Sequence, residues 1–103
     1  VEVDVLDALV RWDDAVWIVD YKSDLLGHAD PVAARRLVED RYRTQAALYG
    51  LAGARIHAQW PSPAPRFAGL LYWFVRDQIV VPIEATPSNL TSWRQWLAQQ
   101  GTR

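Results

Sequence analysis

The 103-residue chain has no cysteine and no methionine, a single lysine (Lys22) and two histidines, His28 and His57. Without cysteine there is no disulfide, no thiol nucleophile, no iron–sulfur cluster and no thiolate zinc site. That is compatible with the cytoplasm. The lack of even an initiator methionine reads as a segment of a longer protein. No apolar run approaches the roughly 18 residues that suggest a membrane span, and no signal peptide is visible. The formal net charge is −1, so no global field draws the chain to nucleic acid or acidic lipid. Such a partner would be held by a local basic patch or a metal. Half of the residues are hydrophobic and 22% are charged, the proportions of a folded domain. The length suits one domain, residues 1–103, with a modest core.

Residues 2–12 are rich in Val and Leu and read as a strand. Asp13-Asp14 is a two-residue turn, and Ala15 to Lys22 the second strand. A loop with Gly27 follows. Asp30-Pro31 has the form of a helix start, with Asp as N-cap and Pro in the first turn. Val38, Tyr42, Gln45 and Tyr49 fall on one face of the helix that follows, which Gly50 and Gly53 loosen or end. Residues 60–66 are a proline-rich connection. Phe67 to Val75 is a near-continuous apolar run and reads as a strand buried on both faces. Ile79 to Glu84 is a further strand, sent to an edge by Pro82. Leu90, Trp93 and Leu97 mark a short C-terminal helix.

The two-residue turn carries the chemical argument. If Trp12 faces Ala15, every opposed pair sums to 27, and Asp7 stands opposite Asp20. Directly opposed side chains have Cβ atoms about 4.5–5.5 Å apart. Lys22, two residues past Asp20, shares the same face. Two carboxylates that close repel, and a divalent cation resolves the conflict. Magnesium takes one or two carboxylates, completes its shell with water and often binds a substrate phosphate. A lysine beside it can position or deprotonate a water, which suits phosphodiester hydrolysis.

The spacing D-x12-D-Y-K at Asp7, Asp20, Tyr21 and Lys22 resembles the PD-(D/E)XK nuclease motif. Its form is closest to the C-terminal nuclease domain of RecB- and AddA-type helicase–nucleases. The stretch Tyr42-Arg43-Thr44-Gln45-Ala46-Ala47-Leu48-Tyr49 resembles that family's Y-x-x-Q-x-x-L-Y helix motif, and Phe67 to Arg76 resembles the strand after it. The resemblance spans about residues 5–76. It implies an α/β fold, a restriction-endonuclease-like mixed β-sheet of about four strands flanked by helices. It implies a magnesium-dependent deoxyribonuclease of the exonuclease type, with manganese as a substitute, acting in double-strand-break repair in the bacterial cytoplasm. Asp7, Asp20 and the Tyr21 carbonyl would hold the metal. Lys22 would be the catalytic lysine, and Gln45 and Tyr49 would organise the site. DNA and the helicase part of the parent protein would be the partners. Asp4 stands where the family usually has glycine. The family's further His or Glu ligand comes from a helix upstream of the first strand, and the chain starts too late to contain it. On the same fold, a DNA-binding or regulatory module without catalysis is the alternative.

Arg35, Arg36, Arg41 and Arg43 cluster on one helical stretch. Arg36, Arg41 and Arg43, with Tyr42, are candidates for the DNA backbone. His28 lies in a loop from which it could reach phosphate, and His57 has less to recommend it. Of the six tryptophans, Trp17 and Trp73 are expected in the core. Trp60, Trp93 and Trp96 are expected to cover the sheet or to meet the rest of the parent protein.

Overall fold

The computed structural model describes residues 8–23 and 30–101. They run in the order β1 (Ala8–Trp12), β2 (Ala15–Lys22), α1 (Pro31–Arg41), α2 (Arg43–His57), β3 (Arg66–Phe74), β4 (Ile79–Glu84) and α3 (Pro87–Gly101). The sheet has four strands in the order β1-β2-β3-β4. β1 and β4 run antiparallel to their neighbours, and β2 and β3 are parallel. This is the expected α/β architecture, a mixed sheet with helices, consistent with a restriction-endonuclease-like fold.

The first hairpin has the expected register. Trp12 pairs with Ala15 and Ala8 with Val19. Asp13 takes the left-handed conformation at φ 56°, which Asp tolerates because its short side chain bonds to nearby backbone. β2 and β3, being parallel, need a crossover, and α1 and α2 supply it. Asp30 caps α1, its carboxylate accepting from the Val32 N–H at 3.0 Å, with Pro31 in the first turn. Thr86 does the same for α3: its hydroxyl accepts from the Asn89 N–H at 3.0 Å.

Two expectations about the helices change. The single helix is two, divided at Tyr42, whose backbone leaves the helical region at φ −107°, ψ 22°. The division lets α1 lie on β4 while α2 crosses β3 and meets α3. Nor does α2 end at its glycines. Gly50 and Gly53 are inside it, and both are buried. A Cβ on Gly50 would come within 2.2 Å of the Trp93 ring, and one on Gly53 within 2.5 Å of Phe67. The glycines are contact points for side chains that would not otherwise fit, at the cost of some helix propensity. Trp93 is thus buried against α2.

One irregularity sets the faces of the central strands. Val16 pairs with Phe67, but Trp17 pairs with Gly69, so Ala68 is an extra residue in β3. Gly69 has φ 136°, and a Cβ there would lie 2.2 Å from the Ile83 carbonyl oxygen. Only glycine accepts both the angle and the approach. Beyond this bulge Ile18, Asp20 and Lys22 pair with Leu70, Tyr72 and Phe74. Paired residues share a face, so these side chains lie together beneath α1 and α2. Ile18, Leu70, Tyr72 and Phe74 join Ile79 and Val81 of β4 with Ala34, Val38 and Ala46 of the helices in one core. Full burial of such an apolar side chain contributes about 1.5–3 kcal/mol.

The opposite face carries Trp17, Tyr21, Leu71, Trp73 and Val80, and it is only partly covered among the described residues. Trp73, expected in the core, is 39% exposed. β3 is therefore buried on one face and half open on the other. Pro82 is exposed on the edge strand, as its missing N–H requires.

Gly69→Ala should lower stability by about 2 kcal/mol or more, because the added methyl meets backbone that cannot rotate away. Urea unfolding followed by tryptophan fluorescence reads this directly.

Candidate active site

Asp20 and Lys22 stand two residues apart on β2, so alternation puts both on the helix-covered face. Lys22 Nζ lies 3.3 Å from Asp20 Oδ2, and the two side chains are only 14% and 15% exposed. An ion pair this sheltered is screened less than a surface pair. The ammonium also lies 4.0 Å from the centroid of the Tyr42 ring and 5.7 Å from that of Tyr72. A cation over an aromatic face gains about 0.5–2 kcal/mol, more where water is excluded. The chain's single lysine is therefore fixed by a carboxylate on one side and by phenol rings on the others.

Those rings form a unit. Tyr42 stacks on Tyr72 with centroids 5.6 Å apart and planes at 17°. Tyr42, Gln45 and Tyr49 follow one another at helical spacing around the junction of α1 and α2, and Tyr42 and Tyr49 pack on the core. Tyr72 is fully buried. Its hydroxyl and the Gln45 Oε1 are buried with no hydrogen-bond partner among the described residues. Burial, and then the Asp20 carboxylate followed by Tyr49 and Tyr42, pushes the Tyr72 phenol well above its ordinary value. It is a neutral O–H donor at any working pH.

The structure thus gathers Asp20, Lys22, Tyr42 and Tyr72, with Tyr49 close enough to act on the Tyr72 phenol and Gln45 on the same helix stripe. Asp7, the expected partner of Asp20, and His28 lie outside the described residues. The side chain of Tyr21 is on the other face of the sheet, against Trp73 at 5.2 Å. His57 bonds the Pro65 carbonyl and packs on Trp60, away from Asp20. Arg36, Arg41 and Arg43 are exposed on α1 and α2. Arg43 stacks on the Trp96 ring at 3.9 Å, which turns it toward α3. A cavity of about 520 Å³ between α1, α2, β4 and α3 is lined by Arg35, Arg43, Trp93 and Trp96 but by neither Asp20 nor Lys22.

Tyr72 is the residue that sequence reasoning passed over. Its signal was a phenol in the apolar run Phe67–Val75, but only the bulge at Ala68–Gly69 shows that it sits beside Asp20.

A family model of the PD-(D/E)XK nuclease superfamily matches residues 2–103. The chain belongs to the PD-(D/E)XK nuclease superfamily. No curated protein matches the chain significantly, nor does any solved structure. Membership gives a nuclease-type function, and nucleases of this superfamily generally use divalent metal ions. The donors present fit such an ion. Asp20 is a hard oxygen ligand, and a buried, unpartnered amide oxygen lies on the helix stripe above the sheet. Among the described residues no three His, Cys, Asp or Glu gather at one point.

The raised phenol of Tyr72 fixes the sign of a pH effect. The folded chain keeps a proton that the unfolded chain releases near pH 10. Stability from this group is complete below about pH 10 and is lost as pH rises beyond it. Unfolding measured from pH 8 to 11 should show that alkaline fall, and Tyr72→Phe should make it shallower.

Proposed function

We propose that the chain is the nuclease core of a RecB/AddA-like helicase–nuclease that degrades DNA at double-strand breaks in the bacterial cytoplasm. The reading is carried by the sheltered Asp20–Lys22 pair, 3.3 Å apart on one strand face, in a chain of the PD-(D/E)XK superfamily. Asp20, with Asp7 and the Tyr21 carbonyl, would hold magnesium, or manganese in its place. A cation held there would supply Lewis acidity toward the scissile phosphate and acidity to a bound water. Asp20 orients the ligand shell. Lys22, held by Asp20 and Tyr42, presents an ammonium that positions water for in-line attack on the phosphorus and favours negative charge there. Gln45 and Tyr49 fix the helix side of the site. Arg36, Arg41 and Arg43, with Tyr42, guide the DNA backbone toward it. No covalent intermediate is needed.

Cleavage of single-stranded DNA should require magnesium or manganese and should fall at least about 100-fold in Lys22→Ala and in Asp20→Asn. The assay is release of acid-soluble nucleotide, with a melting curve for each variant. DNA binding that ignores metal, with no cleavage by the wild type, would assign the chain instead to a binding or regulatory module on the same fold.

A further inference from the structure

Among the described residues the Tyr72 hydroxyl has no hydrogen-bond partner. It sits at the register position of Asp20, in a ring that is 0% exposed and stacked on Tyr42. It therefore cannot swing out to water. A buried hydroxyl without a partner costs stability, while an apolar group of the same shape does not. Packing alone would be served by phenylalanine. Phe74, two residues along on the same face and also 0% exposed, shows that the core accepts one. A buried polar group with no partner among the described residues points to one that arrives from outside.

The second unpartnered atom says what that partner is. Among the described residues Gln45 Oε1 is buried and unbonded as well. Gln45 lies three residues after Tyr42 and four before Tyr49, and both tyrosines neighbour Tyr72. The Tyr72 hydroxyl offers an O–H donor and the Gln45 side chain a carbonyl acceptor. A phosphodiester oxygen accepts but cannot donate, so it would answer Tyr72 and leave Gln45 unmet. An ammonium or guanidinium donates but cannot accept. A water molecule does both.

We infer that Tyr72 and Gln45 together hold a water molecule of the hydrated cation, Tyr72 donating to it and Gln45 accepting from it. The inference rests on the nuclease reading above and adds Tyr72 to that site. The bulge is part of the device. Continuing the Val16–Phe67 pairing without the extra residue would set Leu71 beside Asp20, and the donor would be on the far face.

The test is a calorimetric titration of manganese into the full chain, without DNA, for the wild type, Tyr72→Phe, Gln45→Met and the double variant. Groups that hold water around a bound metal cost about 10–100-fold in affinity when removed. Each single variant should weaken manganese by that factor. The double variant should lose no more than the worse single one, because both act through one water. Melting temperatures should match or exceed the wild type, since each change deletes a buried unpartnered atom. A merely structural role would instead lower the melting temperature and leave manganese affinity intact. Wild-type affinity in Tyr72→Phe, or losses that simply add in the double variant, would overturn the inference. Cleavage of single-stranded DNA run alongside separates the two readings. A wild type that binds manganese and cuts, beside an unaltered Tyr72→Phe, rejects the role of Tyr72 alone. A wild type that does neither rejects the nuclease reading and the role of Tyr72 with it.

Discussion

The parallel pairing of β2 with β3, displaced by one residue at Gly69, is the constraint on which the site depends. Upstream of the displacement the two strands are offset by one register and downstream by another. Only the downstream offset puts the Asp20 carboxylate, the Lys22 ammonium and the Tyr72 phenol on the face that α1 and α2 cover. The displacement depends in turn on a residue without a side chain, because the Ile83 carbonyl of β4 occupies the space a Cβ would need. A backbone contact at one end of the sheet thereby determines which side chains meet at the other.

The site is built at the boundary of the core. Leu70, Phe74, Val38 and Tyr72 are almost wholly buried, and they exclude water from one flank of the Asp20–Lys22 pair. A low local dielectric strengthens the ion pair and the contact of Lys22 with Tyr42. It equally raises the cost of leaving the Tyr72 hydroxyl and the Gln45 amide oxygen without a partner among the described residues. A chain selected for stability alone would carry apolar residues at both positions. Local conflict of this kind is expected where a fold is shaped by its ligand.

The parts of this arrangement that depend on short-range chemistry were readable in the sequence. The two-residue turn at Asp13-Asp14 dictates the hairpin register, and alternation then puts Asp20 and Lys22 on one face. Asp30-Pro31 announces α1, and Pro82 keeps β4 at an edge. Features that depend on distant partners were not readable. Residues on both sides of Tyr42 keep a helical period, so no local signal separates α1 from α2; Tyr42 leaves the helix where its ring meets Tyr72. Gly50 and Gly53 looked like an ending because their Trp93 and Phe67 neighbours come from elsewhere in the chain. Trp73 reads as core in the sequence because apolar runs do not say which face is covered. The pairing of Tyr72 with Asp20 was hidden for the same reason, since a bulge is a property of two strands at once.

The solitary lysine has one more consequence. Apart from the α-amino group, the chain offers amine-directed reagents a single target, and that target lies between Asp20 and Tyr42 with little of its surface open. Acylation of Lys22 measured by mass spectrometry therefore follows how often its ammonium leaves Asp20 and Tyr42, with no background from other side chains.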